Sequence, residues 1–337
     1  MSSRARSARA KRQQRCLGCP SATPQAERLK TAPLAHLTAA AKHEVCDLGS
    51  LAGVCHVVLR NGRCVYTSAE GWADREKGIR FGADTICHLH GNTKPLVVAA
   101  FLTLVDEGLV RLSDSVSKHW PQFPTSVLAA NGTTRRLKEA PTLRHLLTMT
   151  SGLGYGCADV YKPIMRGIKK RSISSLKAFC DELAKLPLLS EPGRAYEYGF
   201  STDVLGHVCE VVSGERLDKF VEKRLLRPLG MADTHFIVPK SKRKRMAVLY
   251  DAGREVPAKK QRGARQAYLI KQYVHPDSAP GIMSAGGGVS SYRDAGMFST
   301  LRDYVQFCQM LLNGGVGMNG RRILRAGTVR MLWADGL

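Results

Sequence analysis

The longest apolar run of the chain, Pro95–Val105 (PLVVAAFLTLV), follows the polar stretch CHLHGNTK and is stopped by Asp106 and Glu107. It falls well short of the roughly eighteen residues needed to cross a bilayer, so it predicts a helix of a soluble protein. The helix should run from about Thr93 to Glu107 and end at Gly108, a natural left-handed cap. With 337 residues and 44% hydrophobic content, the chain can fill a sizeable core, as one large domain or two lobes.

Other elements follow from local signals. Thr31 and Pro33 open a helix with Leu34, Leu37, Ala41 and Val45 at helical spacing. In VCHVVLRNGRCVYTS, two β-branched runs flank Asn61-Gly62, which suits a two-residue type I′ turn and places Leu59 opposite Cys64 and Val57 opposite Tyr66. PTLRHLLTMTSGLGYG predicts a short helix and then a Gly-rich turn. A further helix should run from Thr202 to about Val212, ending at Ser213-Gly214, and another through RLDKFVEKRLLRPLG. STLRDYVQFCQMLLNGG places Tyr304, Phe307, Met310 and Leu311 on one helical stripe.

The net charge of +23 is concentrated in two places. Residues 1–30 carry eight Lys/Arg against one Glu, and residues 236–275 carry eleven against Asp251 and Glu255. The first segment lacks aromatics and reads as a disordered basic tail; its Arg, Ser and Ala content resembles an organellar transit peptide, although it has no bulky apolar face. The expected compartment is the cytoplasm or the mitochondrion. Residues 239–275 are poorly periodic and read as a basic insertion or long loop. PKSKRKR, with Lys240–Arg245, and KKQRGAR raise a nucleic-acid reading, but aromatics for base stacking are sparse (Tyr250, Tyr268 and Tyr273), so a solvated insertion is preferred. The ten cysteines are scattered and no secretory segment precedes them; most are expected to be small buried hydrophobes, and the Cys16–Cys19 C-x-x-C an incidental pair.

Several motifs in a fixed order carry a resemblance: DTICHLHGNTKP, LRHLLTMTSGLGYG, PGRAYEYGFSTDVLGHVCEVVSG, PLGMADTHF and RDYVQFCQMLLNGG. From about residue 50 onward the chain resembles the class C β-lactamases, penicillin-binding proteins and serine esterases. The resemblance implies an α/β (α+β) fold of the β-lactamase/transpeptidase type, residues 31–337, with an antiparallel sheet flanked by helices and an all-helical lobe. It implies a serine acyl-transfer site: an S-x-x-K serine and lysine at the start of the central helix, and a tyrosine from a second motif. A K-T-G or H-x-G strand completes the oxyanion hole. Residues three apart on a helix are neighbours, so the lysine amine can reach the serine hydroxyl.

Position by position, Lys94 matches the family lysine and Tyr198 the family tyrosine. Tyr198 stands in a Y-G-x-S-x-D variant, with Phe200 where a lactamase has asparagine, which favours an esterase or peptidase-like ancestor. Gly91 occupies the serine position. Loss of such a nucleophile typically costs about a million-fold in turnover. The sequence ends at Leu337 without the K-T-G or H-x-G strand, and the resemblance then implies a sheet left with the two hairpin strands and no oxyanion half-site. Thr93, His88, His90 and Ser151 are poor substitutes for the serine, Ser151 the least poor. The expected function is that of a pseudoenzyme of the serine hydrolase class. A residual esterase or peptidase-like hydrolase, and a scaffold or anion-binding protein, are the alternatives. No cofactor or metal is called for. The expected partners are a small ester or amide ligand and a second copy or partner chain, with neither membrane nor nucleic acid.

Overall fold

Asn61 and Gly62 both take positive φ, 51° and 72°, and turn the N-terminal strands into a hairpin. The structure is a computed structural model; it describes residues 18–155, 159–169, 173, 175–252, 270–273 and 296–334. Most of the basic tail with Cys16, the stretch Lys259–Arg265, Tyr268 and Cys157 lie outside the described residues. The chain divides into two units, the first made of Met1–Cys87, Val238–Asp277 and Ser299–Gln309, the second of His88–Ile237, Ser278–Phe298 and Met310–Leu337.

In the first unit, helix α1 (Thr31–Lys42) precedes strands β1 (Gly53–Arg60) and β2 (Arg63–Asp74). Leu59 faces Cys64 as expected, but Val57 faces Thr67 rather than Tyr66. A register shift between Val58 and Leu59 inserts one residue into the ladder and moves every later pair by one. A third strand, β3 (Ile79–Arg80), pairs with β2, so the sheet has the order β1-β2-β3 rather than two strands. The α1 stripe is thinner than its spacing suggests: Ala41 is buried but Leu37 is exposed. A hydrogen bond of 2.6 Å between Thr38 Oγ1 and Tyr66 Oη ties the helix to β2.

The segment expected as a loop has structure of its own. Lys240–Arg245 forms a short 3-10 helix, and Leu249–Ala252 pairs antiparallel with Ile270–Tyr273. Two of its arginines bind backbone: Arg243 Nε donates to the Val238 carbonyl at 3.2 Å and Arg245 to the Asp84 carbonyl at 3.2 Å.

The second unit is built on α2 (Thr93–Asp106), which Gly108 ends at φ 75°. Leu96, Val97, Ala99, Ala100, Phe101, Leu102 and Leu104 are all buried, as befits a helix that is apolar on every side. Each large side chain among them contributes about 1.5–3 kcal/mol of burial. Helix α3 (Leu143–Leu147) is capped by Thr142, whose hydroxyl accepts from the His145 N–H. Helix α4 (Ser201–Ser213) packs on α2 and α3 with every residue from Ser201 to Cys209 buried. It ends at Gly214, φ 67°. Helical turns Leu217–Val221, Glu222–Leu226 and Arg227–Leu229 run on to Gly230, φ 72°. The unit is not wholly helical: Ser126–Leu128 pairs with Thr134–Arg136 across a turn in which Gly132 has φ 80°. Among the described residues no helix is long and apolar enough to cross a membrane.

Candidate active site

The start of α2 is fixed by backbone before any side chain is considered. His90–Asn92 forms a 3-10 turn, with the Asn92 N–H on the Leu89 carbonyl at 2.9 Å. Met297 clamps the turn from outside: its carbonyl accepts from Leu89 N–H at 2.8 Å, and its N–H donates to Thr93 Oγ1 at 2.9 Å. His90 carries the strain, with φ 47° for a residue that has a side chain. Gly91 itself does not adopt positive φ, so the backbone at this position does not demand glycine.

Lys94, one turn on, is 9% exposed. Its ammonium donates to Tyr155 Oη at 2.8 Å and to Tyr198 Oη at 3.0 Å. The same charge lies 4.5 Å from the centre of the Tyr198 ring, within cation–π range. The two tyrosine rings meet edge to face at 5.3 Å and 79°. Among the described residues beyond its chain neighbours, a Cβ built on Gly91 would meet Tyr198 Oη at 3.2 Å. Position 91 therefore points at the phenol that Lys94 holds. The three residues matched to the family's serine, lysine and tyrosine stand at one place.

Tyr155 belongs to this place too, and the motif reading missed it, because TSGLGYG was read for its glycines. What brings it in is a close backbone approach. A Cβ on Gly199 would lie 2.0 Å from the Leu153 carbonyl and 2.6 Å from Gly154 Cα, so only glycine lets the Tyr198 segment lie on the 153–154 turn. Gly152 does the same for the other side of that turn: φ is 84° and a Cβ would meet the Ser190 carbonyl at 2.2 Å. Burial, and after it the Asp203 charge, pushes the Tyr155 phenol well above its ordinary range.

The substitutes for serine do not stand up. Ser151 is fully buried, shares a 2.8 Å hydrogen bond with Ser201 Oγ and accepts from Leu153 N–H. Thr93 is buried and spends its hydroxyl on Met297. His88 stacks on Phe298 at 4.3 Å and meets His90 at 4.1 Å, while burial lowers the His90 pKa. Among the described residues no three His, Cys, Asp or Glu groups are placed to hold a metal ion. Phe200, where a lactamase would have asparagine, is fully buried, with Tyr155, Phe179 and Tyr161 against it at 5.0, 5.0 and 6.0 Å. It is a core residue.

A family model described as Beta-lactamase matches residues 41–335. The chain belongs to the β-lactamase family. Protein Rv1367c of Mycobacterium tuberculosis (strain ATCC 25618 / H37Rv) is 31% identical over 300 residues, 87% of this chain and 70% of that protein. Esterase EstB of Burkholderia gladioli is 34% identical over 261 residues, 73% of this chain and 63% of the esterase. Among solved structures, EstCE1, a hydrolase with promiscuous acyltransferase activity, superposes with a TM-score of 0.68 at 26% identity, over 91% of this chain and 78% of that one. The resemblance seen in the motifs is thus the family found, and the fold is the β-lactamase/transpeptidase-like one, helices with antiparallel sheets. An esterase and a hydrolase stand among this family member's relatives.

Proposed function

We propose that this β-lactamase-family chain keeps the family's carbonyl-binding corner, Lys94 with Tyr198, at inherited catalytic positions, but forms no acyl-enzyme and is a pseudoenzyme. The observation that carries the reading is Gly91: a side chain there would point at Tyr198 Oη, 3.2 Å from its Cβ, and glycine supplies no hydroxyl to attack with. The buried ammonium and the phenols are hydrogen-bond donors gathered at one spot, suited to a carbonyl or carboxylate oxygen. The ligand that fits this chemistry is a small ester or amide, bound without covalent capture.

A residual hydrolase is the competing reading, favoured by the esterase and hydrolase among the relatives. Ser151 does not serve it, being buried and hydrogen-bonded to Ser201. Turnover of an activated acyl ester by wild type and by a Lys94→Ala, Tyr198→Phe double variant separates the two. The proposal expects equal rates, at the level of the uncatalysed reaction. A wild-type rate ten-fold or more above the double variant would establish the hydrolase.

A further inference from the structure

Cysteines of the N-terminal unit converge on one side of its sheet. Cys64, the second residue of β2, is fully buried with Ala83, and Cys19, Cys55 and Val57 pack against the pair. The approach of Cys19 is set by backbone. The Cys64 N–H donates to the Pro20 carbonyl at 2.7 Å and the Ala22 N–H to the Cys64 carbonyl at 3.0 Å, with Ser21 opposite Cys64 in parallel register. These bonds bring the segment alongside the start of β2, where Cys19 lies against the Cys64 cluster. There Cys19 packs directly against Cys64. None of the eight cysteines among the described residues is in a disulfide, and of these only Cys64, Cys180 and Cys209 are buried, fewer than expected.

The geometry points to Cys19 and Cys64 as a reversible disulfide site, closed by a hydroperoxide, that clamps the segment around Cys19 to the start of β2. The two partners are unlike in the way such a reaction needs. Cys19 is half-buried, so a peroxide can reach it, and the neighbouring Cys64 thiol lowers its pKa to about 7. Cys64 shifts upward, through the Cys19 thiol beside it and its burial, and stays a thiol. In the first step the Cys19 thiolate attacks the terminal oxygen of the hydroperoxide. An S–O bond forms, the O–O bond breaks, and the alkoxide leaves and takes a proton to become the alcohol. In the second step the Cys64 sulfur attacks the Cys19 sulfenic acid. The S–S bond forms and the hydroxyl departs as water with the Cys64 proton. Two thiols are oxidised, and one peroxide is reduced to one alcohol and one water. The site uses none of the residues around Lys94.

The test uses the full chain, reduced, freed of reductant, exposed to equimolar hydrogen peroxide at neutral pH and alkylated before non-reducing peptide mass spectrometry. The expected product is a Cys19–Cys64 cross-linked peptide pair, 2 Da lighter than the two free peptides by the loss of two hydrogens and reversed by dithiothreitol. Cys19→Ser, which leaves the buried Cys64 in place, should yield no such link. Oxidation should also raise the melting midpoint of wild type by a few degrees and leave Cys19→Ser unmoved, because the link restricts the unfolded chain. A predominant Cys16–Cys19 or Cys55–Cys64 link would overturn the inference. So would Cys19 oxidised to the sulfinic acid without any link, or an equal midpoint shift in both proteins.

Discussion

A lysine that is only 9% exposed needs compensation for the water it has lost, and Lys94 finds it in two phenol oxygens at 2.8 and 3.0 Å and the face of one ring. None of that compensation depends on residue 91. A lysine packed this way persists whether or not a hydroxyl stands beside it, because its removal would cost two hydrogen bonds to phenol oxygens and the packing of its stem. Tyr155 carries a consequence for pH. Burial raises its phenol above the ordinary value near 10, so the folded chain prefers the neutral form. The stability linked to that preference is whole below about pH 10 and is lost as pH rises above it toward the folded-state value. At pH 8, Tyr155→Phe should cost about 1 kcal/mol through the lost Lys94 hydrogen bond. Between about pH 10 and 12 the gap should close and then reverse, because phenylalanine has no proton to lose. Melting curves of the two proteins at pH 8 and pH 11 check this; a constant gap would contradict it.

Elements declared by local chemistry were legible in the sequence. Gly108, Gly214 and Gly230 end their helices with positive φ, as their positions implied, and Asn61-Gly62 makes the hairpin turn. What could not be read are features settled by distant contacts. The bulge at Val58–Leu59 shifts the hairpin register, and nothing in either strand announces it. The strands Leu249–Ala252 and Ile270–Tyr273 are flanked by charge that hides any alternation, while Val248 N–H reaching the Ala73 carbonyl at 2.8 Å and Tyr250 Oη accepting from Arg75 N–H at 2.7 Å hold the first of them. Tyr155 joins Lys94 only because the backbone at Gly199 can touch the 153–154 turn. Phe200 was legible as a departure from the lactamase motif, but its reason is packing. Phe200→Asn, which restores the lactamase residue, should therefore destabilise the fold by about 3–5 kcal/mol, since it removes a fully buried ring and leaves an amide without room for partners. Urea denaturation measures the loss. A change under 1 kcal/mol would show that the position tolerates the polar residue.

For the whole molecule, membership of the β-lactamase family over residues 41–335 settles the architecture and leaves the reaction to the site. Motif order carried the family from sequence alone, because five separated stretches had to agree. The site was legible as far as Gly91, Lys94 and Tyr198, and the structure brings those three together around one phenol oxygen. The net charge of +23 adds a general attraction for anions that salt should screen. The central claim is that this chain forms no acyl-enzyme. Intact-protein mass spectrometry after exposure to a penicillin and to a fluorophosphonate tests it most directly. Wild type should keep its mass with both reagents, while Gly91→Ser, whose hydroxyl would stand within reach of Tyr198 Oη, should gain one fluorophosphonate adduct. A stoichiometric adduct on the wild-type chain, mapped to a hydroxyl of the described fold, would contradict the account.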